Sequence, residues 1–347
     1  MRQASEQISA SQPKVSVAMI TYNHGPFIAQ AIESVLMQEN NFQIELVIGE
    51  DCSTDGTRDV VKKFAESRPD VIRLLLHTPN VGMHKNTQAV LDACRGEYVA
   101  FLEGDDFWTA KDKLQKQVDF LDGHPDYVMA FHRVRTFRDS PGWEFEHLHP
   151  GDSCCERHTL ETLLRQGNPV PTCSVVARRE HLQPLPANCA HLAMTDFPRW
   201  LLLARFGDAR YFNDVMGAYR VGGGAWASKP RHEQYLAGAS MFDAIQEHLP
   251  SAARQLAAQC AANEHAKAKR ELRQFERTGR LREIQAAPNR RQRLGRIFGA
   301  VVRMPSIVAW GPFLSVAAET MFGKRIKSAL GQTMFKAGGH NGDAGEA

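Results

Sequence analysis

No run of about 18 uninterrupted apolar residues occurs in the 347-residue chain, so it offers no candidate transmembrane helix. Cysteine is sparse and unpatterned. The seven residues, Cys52, Cys94, Cys154, Cys155, Cys173, Cys189 and Cys260, are odd in number and show neither zinc-site nor redox CxxC spacing. Reduced thiols in a cytosolic protein are the simple expectation, with the adjacent Cys154-Cys155 pair read as inert. No signal peptide is visible, and the polar residues 1–13 and the tail 337–347 are expected to be disordered. Internal repeats are absent.

What is present is ordinary in bulk and uneven in distribution. Hydrophobic residues make up 43% and charged residues 23%, as in a soluble globular protein. The net charge of +3 conceals an asymmetry: residues 251–336 hold 17 Lys+Arg against 5 Asp+Glu, and residues 1–250 hold 25 against 32. An acidic body with a basic arm points to an anionic surface near that arm.

The apolar run Tyr98-Val99-Ala100-Phe101-Leu102 ends on Glu103-Gly104-Asp105-Asp106. A buried strand that stops on clustered carboxylates presents them at the carboxyl edge of a sheet, where open α/β folds bind ligands. Three acids in four residues repel one another, and a divalent cation with hard oxygen ligands, Mg²⁺ or Mn²⁺, explains them best. Gly104 permits close approach of backbone or ligand. The alternative is a solvated turn with Asp106 capping the next helix.

Three further strands precede this one, Val15–Ile20, Ile44–Gly49 and Val71–Leu76, each of buried-strand character. Helical periods lie between them: from Pro26 through Leu36, about 57–67, and about 84–94. The alternation predicts a mostly parallel sheet flanked by helices. Polar clusters at 21–25, 50–55, 80–86 and 103–106 all follow strands, so they are expected to converge on one edge. Beyond them, Leu114–Leu121 and Thr159–Gln166 read as helices, Tyr127–Phe131, Cys173–Ala177 and Tyr211–Val215 as strands, and 138–153 as a loop. Thr195-Asp196-Phe197-Pro198 opens a helix, and Tyr219-Arg220 begins a flexible Gly-rich segment ending at Trp226. From 231 the chain is expected to be helical, broken near Pro250 and Pro288. Within it, residues 290–327 carry basic flanks around broken apolar segments, which suits an interfacial membrane element; a helix pair packed on the main domain is the other reading.

The ordered set Thr21–Ile28 (TYN-x-x-x-F-I), Glu50–Thr57 (EDCSTDGT), Asn80–Asn86 (NVG-x-x-x-N) and Glu103–Trp108 (EGDDFW) resembles the family-2 glycosyltransferases with the GT-A fold. Asp196 with Trp200, and Tyr219-Arg220 with the Gly-rich stretch to Trp226, fit as well, so the resemblance covers roughly 14–228. It implies a GT-A catalytic domain over 14–230, with 231–336 as a helical, basic C-terminal extension. It implies transfer of a sugar, usually with inversion, from a nucleotide-diphosphate donor to a hydroxyl of a glycan or lipid-linked acceptor, with cell-surface polysaccharide biosynthesis the expected setting. The family's DxD metal motif reads Glu103-Gly104-Asp105. Asp105 is assigned to the metal, Glu103 is a further candidate ligand that also reaches ribose, and Asp106 stands behind them. Thr21, Tyr22, Asn23 and Asp51 line the nucleotide pocket, with Asn86 near the diphosphate. Asp196 matches the catalytic base, the alternative being a helix N-cap that Thr195 would serve equally. Where many relatives have His after the Tyr-Arg pair, this chain has Val221 and Gly222. Arg220 is read as a diphosphate partner or a surface ion pair, and Trp226 as a sugar platform or core packing.

Two other functions compete. A non-catalytic sugar-nucleotide-binding or membrane scaffold would use the same fold. A sugar nucleotidyltransferase ranks lower, because Thr21-Tyr22-Asn23-His24-Gly25 lacks the Gly-rich basic loop of that class. No nucleic-acid motif accompanies the basic arm, so no nucleic acid is expected. The expected location is cytoplasmic, peripheral on the inner membrane face.

Overall fold

The computed structural model describes residues 12–138, 144–189, 191–221, 229–285 and 292. The chain divides into two compact units, Met1–Ala266 and Lys267–Ala347. In the second, the described residues are the end of one helix and Gln292, and the expected interfacial element at 290–327 lies, Gln292 apart, outside the described residues.

The first unit starts as the apolar runs dictate. Strands β1 (Val15–Thr21), β2 (Ile44–Glu50), β3 (Ile72–Leu76) and β4 (Tyr98–Glu103) alternate with helices α1 (Ile28–Leu36), α2 (Thr57–Ser67) and α3 (Met83–Ala93). They pair in parallel in the order β3-β2-β1-β4. Both faces are covered, which is why the runs are continuously apolar. Val15, Val17 and Met19 of β1 pack with Ile28 and Ile32 of α1, whereas Ala18 faces the opposite cluster. On β4, Tyr98, Ala100 and Leu102 share the α1 side, and Val99 and Phe101 the other.

The second half is more strand-rich than its sequence suggests. The sheet continues through β9 (Val176–Arg178), β6 (Tyr127–Arg138), β10 (Asp208–Val221) and β5 (Phe107–Trp108). β9 is antiparallel to β4 and β6, β10 runs parallel to β6, and β5 is antiparallel to β10. β7 (Glu144–His149) pairs with β6, and β8 (Arg157–His158) with β10. Four expectations need correction. The segment read as a loop at 138–153 contains β7, which pairs with the strand just before it, Arg138 opposite Glu144; its Glu-Phe-Glu-His-Leu-His run is too polar to read as a buried strand. The strand expected at Cys173–Ala177 begins as a 3-10 turn, Thr172–Ser174, and becomes strand only at Val176. β6 and β10 extend well past Phe131 and Val215. Tyr219 and Arg220, placed by sequence in a flexible segment, belong to β10 and pair with Thr136 and Phe137.

Helices α4 (Lys113–Gly123), α5 (Leu160–Gln166) and α6 (Asp196–Leu203) complete this layer, followed by α7 (Arg231–Ile245) and α8 (Ser251–Gln285), separated at Pro250. The core crosses residue 230: Met241, Phe242 and Ile245 of α7 and Ala257 and Ala261 of α8 join the cluster that holds Phe101, Phe197 and Trp200.

One polar knot lies at the sheet edge remote from the acids. Glu45, 2% exposed, accepts from Ser16 Oγ (2.6 Å), the Arg95 backbone N–H (2.7 Å), and the guanidinium groups of Arg95 and Arg73. Burial pushes its carboxyl up, but these donors outweigh it and hold the group below its ordinary value. A depressed folded pKa contributes stability above the unfolded value that is lost as pH falls. Glu45→Gln is therefore expected to cost about 1–3 kcal/mol at pH 7. Denaturant titrations at pH 7 and pH 3 check it: the deficit should shrink at the lower pH.

Candidate active site

Register alone brings the motifs together. Ile20 lies opposite Glu103, Thr21 opposite Glu50, and Glu50 opposite Leu76. The ladder continues one step beyond the strands, with Asp51 N–H donating to Thr21 O, His77 N–H to Glu50 O and Gly104 N–H to Ile20 O. The turns after β1, β2, β3 and β4 thus share one edge.

Within it, several residues assigned to the nucleotide pocket also build the pocket wall. Asn23, in the left-handed region at φ 55°, accepts from Thr54 N–H through Oδ1 (2.9 Å), while its own N–H donates to Ser53 Oγ (2.9 Å). Asp51 is buried, and its two oxygens accept from Val81 N–H (2.7 Å) and Gly82 N–H (2.9 Å), fixing the turn after β3. Asn86 is also buried, donating to Gly49 O (2.8 Å) with Oδ1 3.0 Å from His77 Nε2. A Cβ on Gly49 would come within 2.1 Å of Asn86 Oδ1, so the glycine makes room for that amide. Asn86 accordingly braces β2 rather than projecting from it. Thr21 is buried with its Oγ1 lacking a hydrogen-bond partner, and Tyr22 is exposed at the rim.

The acid turn sits deeper. A Cβ at Gly104 would meet Thr21 Oγ1 at 2.7 Å and His24 Nδ1 at 2.9 Å, so this position fits only glycine without rearrangement. Burial pushes the Glu103 carboxyl up to about 8, with the charges of Asp105 and Asp196 adding to it. Its Oε2 has no hydrogen-bond partner. Asp106, 2% exposed, is held well above the carboxylate range by burial and by the charges of Asp105 and Glu103. Its Oδ1 accepts from the Arg220 backbone N–H at 2.8 Å, which ties the turn to β10. Asp106 therefore anchors the turn from behind and does not cap α4; Asp112 occupies that cap position.

Arg220 is half-buried. Its Nε donates to Asp105 O (3.0 Å), and its guanidinium lies over Phe27 (3.8 Å to the ring centroid) and Phe137 (4.7 Å). Trp226 and the Gly222–Gly224 stretch lie outside the described residues.

Asp196 opens α6, and that helix is held by packing. Trp200, fully buried, meets Phe101 of β4 edge-on at 5.1 Å, and Phe197 meets Phe242 of α7 at 6.1 Å. Asp196 Oδ2 accepts from Asn168 Nδ2 at 3.1 Å. Burial lifts the Asp196 carboxyl above its ordinary value, opposed by backbone N–H groups of the first turn, by Asn168 and by the charge of Arg199. Thr195 stands at the N-cap position without a side-chain cap bond. The fold thus brings Glu103, Asp105, Asp106 and Asp196, separated by up to 93 positions, into one electrostatic neighbourhood. Sequence reasoning missed Asn168, the Phe27–Phe137 clamp, and Cys173, whose buried thiol lies beside Asp106. Phe27 sits inside a recognisable motif; Asn168 and Cys173 have no local signal.

The donor set suits a divalent cation: hard oxygens, a buried carboxylate oxygen without a partner, and like charges that a cation would relieve. Among the described residues no group of three His, Cys, Asp or Glu side chains is placed to hold a metal alone, so Asp105 and Glu103 would share it with ligand oxygens.

A mostly parallel sheet gathering acids at one carboxyl edge, faced by a carboxylate on a packed helix, agrees with the GT-A class of fold. Residues 16–182 match the model for "Glycosyl transferase family 2". The chain is 34% identical over 210 residues to an uncharacterised protein of Mycobacterium tuberculosis, covering 59% of this chain and 58% of that one. It is 39% identical over 110 residues to the putative teichuronic acid biosynthesis glycosyltransferase TuaG of Bacillus subtilis, covering 32% of this chain and 42% of TuaG. Its fold is similar to that of the mannosyltransferase PcManGT of Pyrobaculum calidifontis in complex with GDP-Man and Mn²⁺, with TM-score 0.53 at 18% identity, covering 94% and 88% of the two chains. The chain is similar to glycosyltransferase family 2 over residues 16–182, and its α/β fold matches the GT-A fold. Its match thus spans 58% or less of the length of these two curated relatives.

Proposed function

We propose that the protein transfers a sugar, with inversion, from a nucleotide-diphosphate donor to a hydroxyl of a glycan or lipid-linked acceptor in polysaccharide biosynthesis. The observation that carries this reading is the convergence of Asp196 with the Glu103–Asp106 turn beneath the Thr21–Asn23 and Asp51 pocket. TuaG and the GDP-Man complex of PcManGT support the substrate classes.

The donor nucleotide lies along the turns after β1 and β2, where Tyr22 is exposed for contact and Asn23 and Asp51 hold the walls. Asp105 and Glu103 would hold Mg²⁺ or Mn²⁺. When bound, that ion supplies Lewis-acid stabilisation to the departing diphosphate. Arg220, fixed between two rings, adds a guanidinium at the same edge. Asp196 takes the proton of the attacking acceptor hydroxyl, and Asn168 holds its carboxylate in one orientation. Burial in the α6–β4 packing keeps that carboxylate basic.

The charge state of Asp196 yields a test. A base works only when ionised, so turnover rises with pH through its folded pKa. Burial places that value above the ordinary Asp value of about 3.9. The acid limb of kcat against pH is expected above the ordinary carboxylate range, and a limb at or below about 4 would contradict burial of a working base.

A further inference from the structure

Arg199 is a buried cation with no ion-pair partner among the described residues. Its residue is 6% exposed, its Nη1 has no hydrogen-bond partner, and no salt bridge reaches its guanidinium among the described residues. Burial brings the group down to about 10, which leaves it charged at neutral pH, and the nearby Asp196 only partly offsets that burial. A buried unpaired ion costs several kcal/mol, so its persistence calls for a ligand.

Arg199 lines a cavity of about 160 Å³. Leu202 and Leu203 of α6 form apolar wall, and Arg205, His181 and His248 bring further basic groups to it. The mouth is partly ordered already: Arg205 Nη1 donates to His248 O at 2.8 Å, and the His181 ring stacks on Phe206 at 4.7 Å. Glu180 and Glu247 lie 3.6 Å and 3.4 Å from the two imidazoles but do not line the cavity.

Topology separates the 181–186 wall of this cavity from the Glu103 turn, although Arg199 lies close enough to Asp196 for their charges to interact. β9 runs antiparallel to β4, and Arg178 pairs with Tyr98 at the start of β4. The cavity-lining segment 181–186 therefore leaves the sheet at the edge opposite Glu103.

We propose that this cavity is a binding site for a phosphate-class oxyanion, held by the Arg199 guanidinium and closed by Arg205. Guanidinium presents a planar fork that matches phosphate oxygens, and apolar walls strengthen the attraction. The group belongs to a free phosphate or to an anionic lipid headgroup, and both present the same oxygens.

The test is thermal unfolding of the full chain in EDTA, with inorganic phosphate titrated against chloride at matched ionic strength. The wild type is expected to gain roughly 2–4 °C per tenfold rise in phosphate above its Kd. Arg199→Gln should lose that gain with little loss of stability in phosphate-free buffer, because the charge it removes is buried and only partly offset by Asp196. Arg205→Gln should weaken the gain, and Asp105→Asn should leave it intact, which separates this site from the donor site. Flotation on phosphatidylcholine vesicles with and without phosphatidylglycerol tells the sources apart. Flotation lost in Arg199→Gln assigns a headgroup, and flotation equal to wild type beside a lost phosphate gain assigns a soluble phosphate. No gain over chloride in the wild type, or a full gain in Arg199→Gln, overturns the proposal. Should Arg199→Gln fail to fold, Arg199→Lys, which keeps charge but not fork, replaces it; undiminished phosphate affinity there contradicts the assignment.

Discussion

Asp196→Asn is expected to lower kcat by about 10²–10⁴-fold, the range for loss of a general base. The substitution is nearly isosteric, and the helix that carries it is held elsewhere, by Trp200 against Phe101 and Phe197 against Phe242. Its stability effect has a definite sign. A carboxyl whose folded pKa is raised by burial stabilises the fold while protonated and loses that contribution as pH rises through the folded value. At pH 7 the neutral amide removes the penalty of a buried charge, so Tm should be unchanged or higher. Below the ordinary carboxylate range the two proteins should converge. Steady-state turnover with Tm at pH 7 reads both quantities. Near-normal turnover would show that Asp196 serves only to begin α6.

Asp105→Asn should produce the second large effect. In the wild type, Mn²⁺ is expected to raise Tm, because a cation that binds only the folded state stabilises by mass action. Relief of repulsion within the acid turn acts in the same direction. Asp105→Asn should abolish the Mn²⁺-dependent rise. It should also weaken cation-supported turnover by more than the roughly 10–100-fold that losing an outer hydrogen-bonding partner of a metal ligand costs. Without metal the variant should be no less stable than wild type, since one of the charges that raise Glu103 has gone. A variant with unchanged Mn²⁺ dependence would move the ligand role to Glu103.

The first four strands and their helices were legible because each is a local pattern: an apolar run, a polar turn, then a helical period. Parallel pairing follows from that alternation, and with it the convergence of Thr21, Asp51, Asn80 and Glu103 on one edge. The second half was less legible because its order is non-local. Tyr219-Arg220 is extended because it pairs with Thr136-Phe137, 83 positions earlier; β7 is local, but its polar run masks a strand that its pairing with β6 reveals. Sequence also blurs the difference between touching ligand and holding the wall. Asp51 and Asn86 stand inside the motifs, yet their polar atoms hold the β3 turn and the β2 backbone. Arg199 had no motif at all; only its burial, with no ion-pair partner among the described residues, distinguishes it.

The most direct test of the account is donor turnover. Purified protein would be mixed with UDP-, dTDP- and GDP-sugars, each with Mn²⁺ and with EDTA, alone and with a panel of glycan and lipid-linked acceptors, and nucleotide diphosphate release followed together with calorimetric donor binding. The account predicts binding of at least one donor, and release that EDTA abolishes and that Asp196→Asn suppresses without loss of donor binding. Absence of binding to every donor would contradict it and favour a scaffold.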